Sequence, residues 1–136
     1  MLALNSPYAY LIMATHFRDT SVVVEKSGAL AGFLIGYRLP ERLRTAFVWQ
    51  IGIAESMRGK GIGKKLLRHM VDRLGGEIDY LEATTPRTNR ASRRLFRSFA
   101  AERGAPFSVQ PGFAPELFVP PAGEPEELMR VGPFPH

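Results

Sequence analysis

Arg58-Gly59-Lys60-Gly61-Ile62-Gly63 separates two runs of different periodicity. Upstream, Phe47, Trp49, Ile51 and Ile53 alternate with Val48, Gln50 and Gly52, the period of a strand. Downstream, Ile62, Leu66, Leu67, Met70, Val71 and Leu74 recur at helical spacing, and Gly75-Gly76 supplies a left-handed end. A strand, a glycine-rich turn and a helix start together form an anion site. Backbone N–H groups and the positive end of the helix dipole converge there, and glycine lets the backbone come close to the ligand. Lys60, Lys64 and Lys65 add positive charge to the same turn. The order of a nucleotide P-loop is absent, and the glycine spacing does not match a dinucleotide fingerprint.

Working outward, Ser6 and Pro7 open a helix over 8–17. Val22-Val23-Val24, a turn at Lys26-Ser27-Gly28 and an apolar run over 30–37 predict a β-hairpin, followed by a polar connection over 40–44. On the other side, 78–84 reads as a strand. Asn89 caps a helix with Ala91, Leu95, Phe96, Phe99 and Ala100 inside, Arg90, Arg93, Arg94 and Arg97 outside, and Gly104 just past its end. From Pro106 onward proline and glycine are frequent, with short strands expected over 107–110 and 128–131. This order of elements implies an α/β (α+β) fold, a mixed central sheet flanked by helices and not a doubly wound one.

The 136 residues amount to one domain, 1–136, large enough for a core without covalent staples. There are no cysteines, so disulfides, thiolate metal sites and a Cys nucleophile are excluded; this fits a cytoplasmic protein. No membrane span is expected, since the longest apolar stretch covers only 29–37. The 18 Lys and Arg against 13 Asp and Glu give +5, with the excess over 38–103 and an acidic tail holding Glu116, Glu124, Glu126 and Glu127. A basic middle calls for a polyanionic partner. No nucleic-acid-binding signature is present, which leaves a phosphorylated small molecule as the economical choice.

Arg58, Gly61 and Gly63 stand in the register of the Arg-x-x-Gly-x-Gly signature, and Asn89-Arg90-Ala91-Ser92-Arg93-Arg94-Leu95-Phe96 follows an Asn-x-x-Ser-x-x-Leu-aromatic pattern. Both motifs, in this order, resemble the GNAT N-acetyltransferases. The resemblance implies that acetyl-CoA is the co-substrate, with no metal. Its pyrophosphate would lie on Arg58, Gly59, Lys60, Gly61, Ile62, Gly63 and Lys64, its pantetheine arm on Asn89, and its thioester carbonyl beside the N–H groups of Ile51 and Ile53. Phe96 stands where many members carry a tyrosine that protonates the departing thiolate, and a phenyl ring cannot do so. The family pattern also places Met1 near its second helix. The usual first strand and first helix are therefore expected to be lacking, leaving 22–25 as a sheet edge open on one side.

Asn5-Ser6-Pro7-Tyr8, Thr15-His16-Phe17, Val48-Trp49-Gln50 and Arg130-Val131-Gly132-Pro133 narrow the resemblance to the diaminobutyrate acetyltransferases of ectoine biosynthesis. It implies acetyl transfer to the γ-amino group of L-2,4-diaminobutyrate, with Trp49 walling the acceptor pocket and Glu126 meeting the amine. Tyr8 would lie near the acetyl group, and the segment 110–136 would contribute to the acceptor site. Two positions depart from the pattern: Ala3 where an acidic residue is expected, and Gly123 where a histidine is expected. Acetylation of another small amine or a peptide amine stays open, as do a non-catalytic acyl-CoA-binding remnant and a homodimer. A panel of acceptors scored by thiol release separates the first two.

Overall fold

A computed structural model describes residues 7–117 and 123–136, so Ala3 and the Ser6 cap lie outside the described residues. The described residues contain three α-helices and six strands, a mixed α/β fold as expected. They fall into two compact units, residues 1–78 and 79–136.

In the first unit, α1 (Pro7–His16) precedes the antiparallel strands β1 (Val22–Lys26), β2 (Ala29–Leu39) and β3 (Arg42–Ile53), and α2 (Ile62–Leu74) follows. The expected polar connection over 40–44 shrinks to a turn at Pro40 and Glu41, because Arg42 already pairs with Leu39. Among the described residues of this unit β1 pairs with β2 alone, and Val23 is 65% exposed.

Two glycines in β2 decide where α2 lies. A Cβ on Gly32 would stand 2.9 Å from Ile62 Cγ2, and one on Gly36 2.9 Å from Met70 Cε. Eight helical residues advance about 12 Å and four strand residues about 13 Å, so α2 runs along β2 in the same direction. Its first turn therefore stands at the Gly32 end of β2, opposite Ile53, the last residue of β3. Leu66, Leu67, Met70, Val71 and Leu74 are buried there with Leu34, Ala46 and Val48. Gly36→Ala tests this packing, since its Cβ would also meet the backbone oxygens of Phe47 at 2.7 Å and Thr20 at 3.1 Å. Backbone cannot give way as a methionine tip can, and a loss of about 1–3 kcal/mol is expected. An unchanged denaturant midpoint would contradict it.

The second unit holds β4 (Tyr80–Pro86), α3 (Arg90–Arg103), β5 (Phe107–Pro111) and β6 (Glu126–Val131). Here β6 lies between β4 and β5, antiparallel to both. The buried face of α3 is narrower than its periodicity implies: Phe96, Phe99 and Ala100 are buried, whereas Ala91 is exposed. Phe99 meets Phe134 edge-on, with ring centroids 6.5 Å apart. Strand β6 begins two residues earlier than its apolar pattern indicates, because Glu127 pairs with Thr85 and Glu126 with Pro86.

Candidate active site

In the first unit, the register of β2 against β3 passes from Ile35↔Gln50 to Gly36↔Val48 and skips Trp49. Trp49 is the extra residue of a β-bulge, a device that bends a strand and re-aims its side chains. It is half-buried and not a core residue. Beyond the bulge, the Ala54 N–H donates to the Ala31 carbonyl on β2 at 2.9 Å. Successive N–H groups of a strand point to opposite sides. The N–H groups of Ile51 and Ile53 are thus directed away from β2. The ring of Phe33 lies over Gly52, where a Cβ would collide with Phe33 Cε1. An apolar groove of about 180 Å³ opens beside it, lined by Leu30, Phe33, Gly52 and Ile53 among others.

The glycine turn follows directly. Gly59 and Gly61 both have φ of 76°, the left-handed region that favours glycine. Gly61 is the N-cap of α2, without a side-chain cap, and the first helical bond runs from the Lys65 N–H to its carbonyl at 3.1 Å. The N–H groups of Ile62, Gly63 and Lys64 therefore start the helix without an intrahelical acceptor. A Cβ at Gly59 or Gly61 would meet no protein atom within 4 Å, and Arg58, Lys60 and Lys65 are exposed around them. Open space, uncapped donors and positive charge fit a pyrophosphate. Tyr8, on the first turn of α1, is 71% exposed.

In the second unit, Asn89 Oδ1 accepts from the Ser92 N–H at 3.1 Å, so it does cap α3, leaving its amide NH2 for another acceptor. Phe96 is 3% exposed and faces inward from the same helix. Glu126, the first residue of β6, is half-buried. Burial pushes its carboxyl above the usual carboxylate range, a hydrogen bond from Thr84 opposes this, and the charge of Glu124 adds to the rise. Glu127, on the other face of β6, accepts from Arg87 Nε at 3.0 Å and Arg93 Nη2 at 2.8 Å. The hydrogen bond from Arg87, with the charges of both arginines, holds its carboxyl below the usual range. On the Glu126 face, Glu82 is 2% exposed and takes Arg130 Nε and Nη2 at 2.6 Å each.

Thr84, Glu127 and the Glu82–Arg130 pair escape a reading of the sequence alone. Arg130 stands in a motif, but nothing in the order of residues pairs it with Glu82 across two strands. Gly123 is an exposed bend residue. Among the described residues no group of three or more His, Asp or Glu could hold a metal ion, and no helix is long and apolar enough to cross a membrane.

The chain is an acetyl-CoA-dependent N-acetyltransferase of the GNAT acetyltransferase family, to which it belongs by a match over residues 3–100. Within that family its relatives include L-2,4-diaminobutyric acid acetyltransferases. The enzyme of Bordetella parapertussis is 41% identical over 99% of this chain and 74% of its own, and that of Marinococcus halophilus 39% identical over 98% and 78%. Among solved structures, the diaminobutyrate acetyltransferase of Paenibacillus lautus, in complex with its substrate L-2,4-diaminobutyric acid and coenzyme A, is 37% identical. It superposes with a TM-score of 0.90 over 99% of this chain and 82% of its own.

Proposed function

We propose that the chain, acting as one catalytic domain over 1–136, transfers acetyl from acetyl-CoA to the γ-amino group of L-2,4-diaminobutyrate. This is the step ahead of cyclisation to ectoine, in the cytoplasm, in the service of osmoadaptation. The observation that carries the reading is the likeness, at 37% identity over 99% of this chain, to an enzyme solved with that acceptor and coenzyme A.

The chemistry follows from the amine. An alkylammonium with a pKa of about 10 is almost wholly protonated at neutral pH and has no lone pair for attack. Glu126 binds the ammonium and takes its proton, directly or through a water. The freed nitrogen attacks the thioester carbon, whose oxygen is polarised by the N–H groups of Ile51 and Ile53; the C–S bond breaks, and the proton the nitrogen sheds on becoming an amide leaves with the thiolate, through water, as free thiol. Arg58, Gly59, Lys60, Gly61, Ile62, Gly63 and Lys64 hold the pyrophosphate and Asn89 the pantetheine arm. Trp49, at the bulge, walls the acceptor, and Tyr8 stands near the acetyl group. Phe96 contributes packing and no proton. Direct attack needs no covalent enzyme intermediate. The test is release of free thiol from acetyl-CoA with L-2,4-diaminobutyrate, other small amines and a peptide amine as acceptors. Turnover confined to the peptide amine, or none with any acceptor, would reject the assignment.

A further inference from the structure

Three glutamates lie within four residues of one another at the start of β6, and the turn between β4 and α3 engages two of them. Thr88 Oγ1 donates to Glu124 Oε1 at 2.5 Å, while Arg87 and Arg93 converge on Glu127 Oε1. Glu127 is well covered, its side chain 14% exposed. Arg93 reaches it at the expense of its own Nε, a buried donor with no acceptor among the described residues. Buried donors are ordinarily paired, so this geometry asks for a reason.

The backbone between these anchors is held as well. The Glu126 N–H donates to the Phe113 carbonyl at 2.9 Å, and the Glu126 carbonyl accepts from the Gly112 N–H at 3.0 Å. A Cβ on Gly112 would lie 2.6 Å from that carbonyl, so the approach requires glycine. Adjacent strand residues face opposite ways, so fixing Glu127 toward α3 turns Glu126 to the other face, beside Thr84. That face also carries the Glu82–Arg130 pair, which satisfies itself. Glu126 is thus the one carboxylate of the three that no arginine or Thr88 engages among the described residues.

We propose that Arg93 and Glu127 form a positioning pair: anchored at the first turn of α3, beside the Asn89 cap, they fix the rotation of β6 that presents the Glu126 carboxylate to the acceptor amine. The inference rests on Glu126 being the acceptor base, as proposed above. It makes the segment over 87–93, the turn before α3 and the helix's first residues, serve two ends, holding the pantetheine arm through Asn89 and aiming the base through Arg93.

The test uses the full chain with L-2,4-diaminobutyrate varied at saturating acetyl-CoA. Glu127→Gln and Arg93→Met should each lower kcat about tenfold or more, as small misplacement of a reacting group does, with the KM for acetyl-CoA within about twofold of wild type. Arg93→Lys, which still brings a cation to Glu127, should recover most of the kcat. Wild-type kcat in folded Glu127→Gln and Arg93→Met would overturn the proposal. So would a loss shared equally by the KM for acetyl-CoA and not rescued by Arg93→Lys, since the pair would then only hold α3. If both variants fail to fold, Arg93→Gln decides by removing the cation from Glu127 while keeping a polar side chain there: a lowered kcat at unchanged KM for acetyl-CoA supports the pair and an unchanged kcat overturns it. Failure of the underlying reading shows separately, as wild-type kcat in Glu126→Gln.

Discussion

Replacing Gly61 with aspartate is expected to weaken acetyl-CoA binding by about a hundredfold or more, through lost charge-assisted donors and added repulsion, in a chain that still folds. A Cβ at Gly61 meets no protein atom within 4 Å, so the substitution clashes with nothing in the chain itself. Its backbone cost is that of a left-handed conformation at φ of 76°, roughly 1–2 kcal/mol for most residues and less for Asp and Asn. What the new side chain occupies is the space before the Ile62, Gly63 and Lys64 N–H groups, where phosphate oxygens would approach. Gly61→Asn is the matched control, since it carries the same shape and tolerance of the left-handed region without the charge. The aspartate variant should bind markedly less well than the asparagine variant, and the gap should narrow as salt rises. Unchanged calorimetric affinity in a folded Gly61→Asp variant would remove the pyrophosphate assignment.

The parts of this molecule that the sequence displays are those governed by local chemistry. The helix over 62–74 appears residue for residue, because its apolar spacing, an uncapped glycine start and a Gly75 end all act within one element. The cap and end of α3 are equally local, with Asn89 before it and Gly104 after. Legibility ends where a residue's role is set by a partner far along the chain. The bulge at Trp49 is a slip of register between two strands, and the alternation of Phe47 to Ile53 runs through it without a mark. Gly32 and Gly36 look like weak points in an apolar run, yet they are the surface on which α2 rests. The glutamates at 124, 126 and 127 look alike in an acidic tail. Pairing with β4 and the placement of Arg87, Thr88 and Arg93, some 36 residues away, separate them into two that are held by side chains of that segment and one that is not.

That separation makes Glu126→Gln the most informative change in the second unit. General-base removal typically costs about a hundredfold to ten-thousandfold in rate, so kcat should fall steeply while acetyl-CoA affinity stays within about twofold. The sign of the pH effect follows from the carboxyl's environment. Burial raises its pKa above the ordinary carboxylate range, Glu124 reinforces the rise, and the Thr84 hydrogen bond only partly offsets it. A general base works ionised; as pH falls through that raised value Glu126 is protonated, and kcat/KM for the acceptor should fall with it if it serves as proposed. Glutamine has no such transition, so the acidic limb should flatten in the variant. In the proposed role the same carboxylate would also select the acceptor's length. If Glu126 meets the γ-amine as proposed, ornithine and lysine carry the reacting nitrogen one and two methylenes too far, and such misplacement costs about a hundredfold. L-2,4-diaminobutyrate should accordingly outpace both. Equal rates with the three amines, or an acidic limb preserved in Glu126→Gln, would take this residue out of the reaction and leave the acetyl-CoA half of the site as it stands.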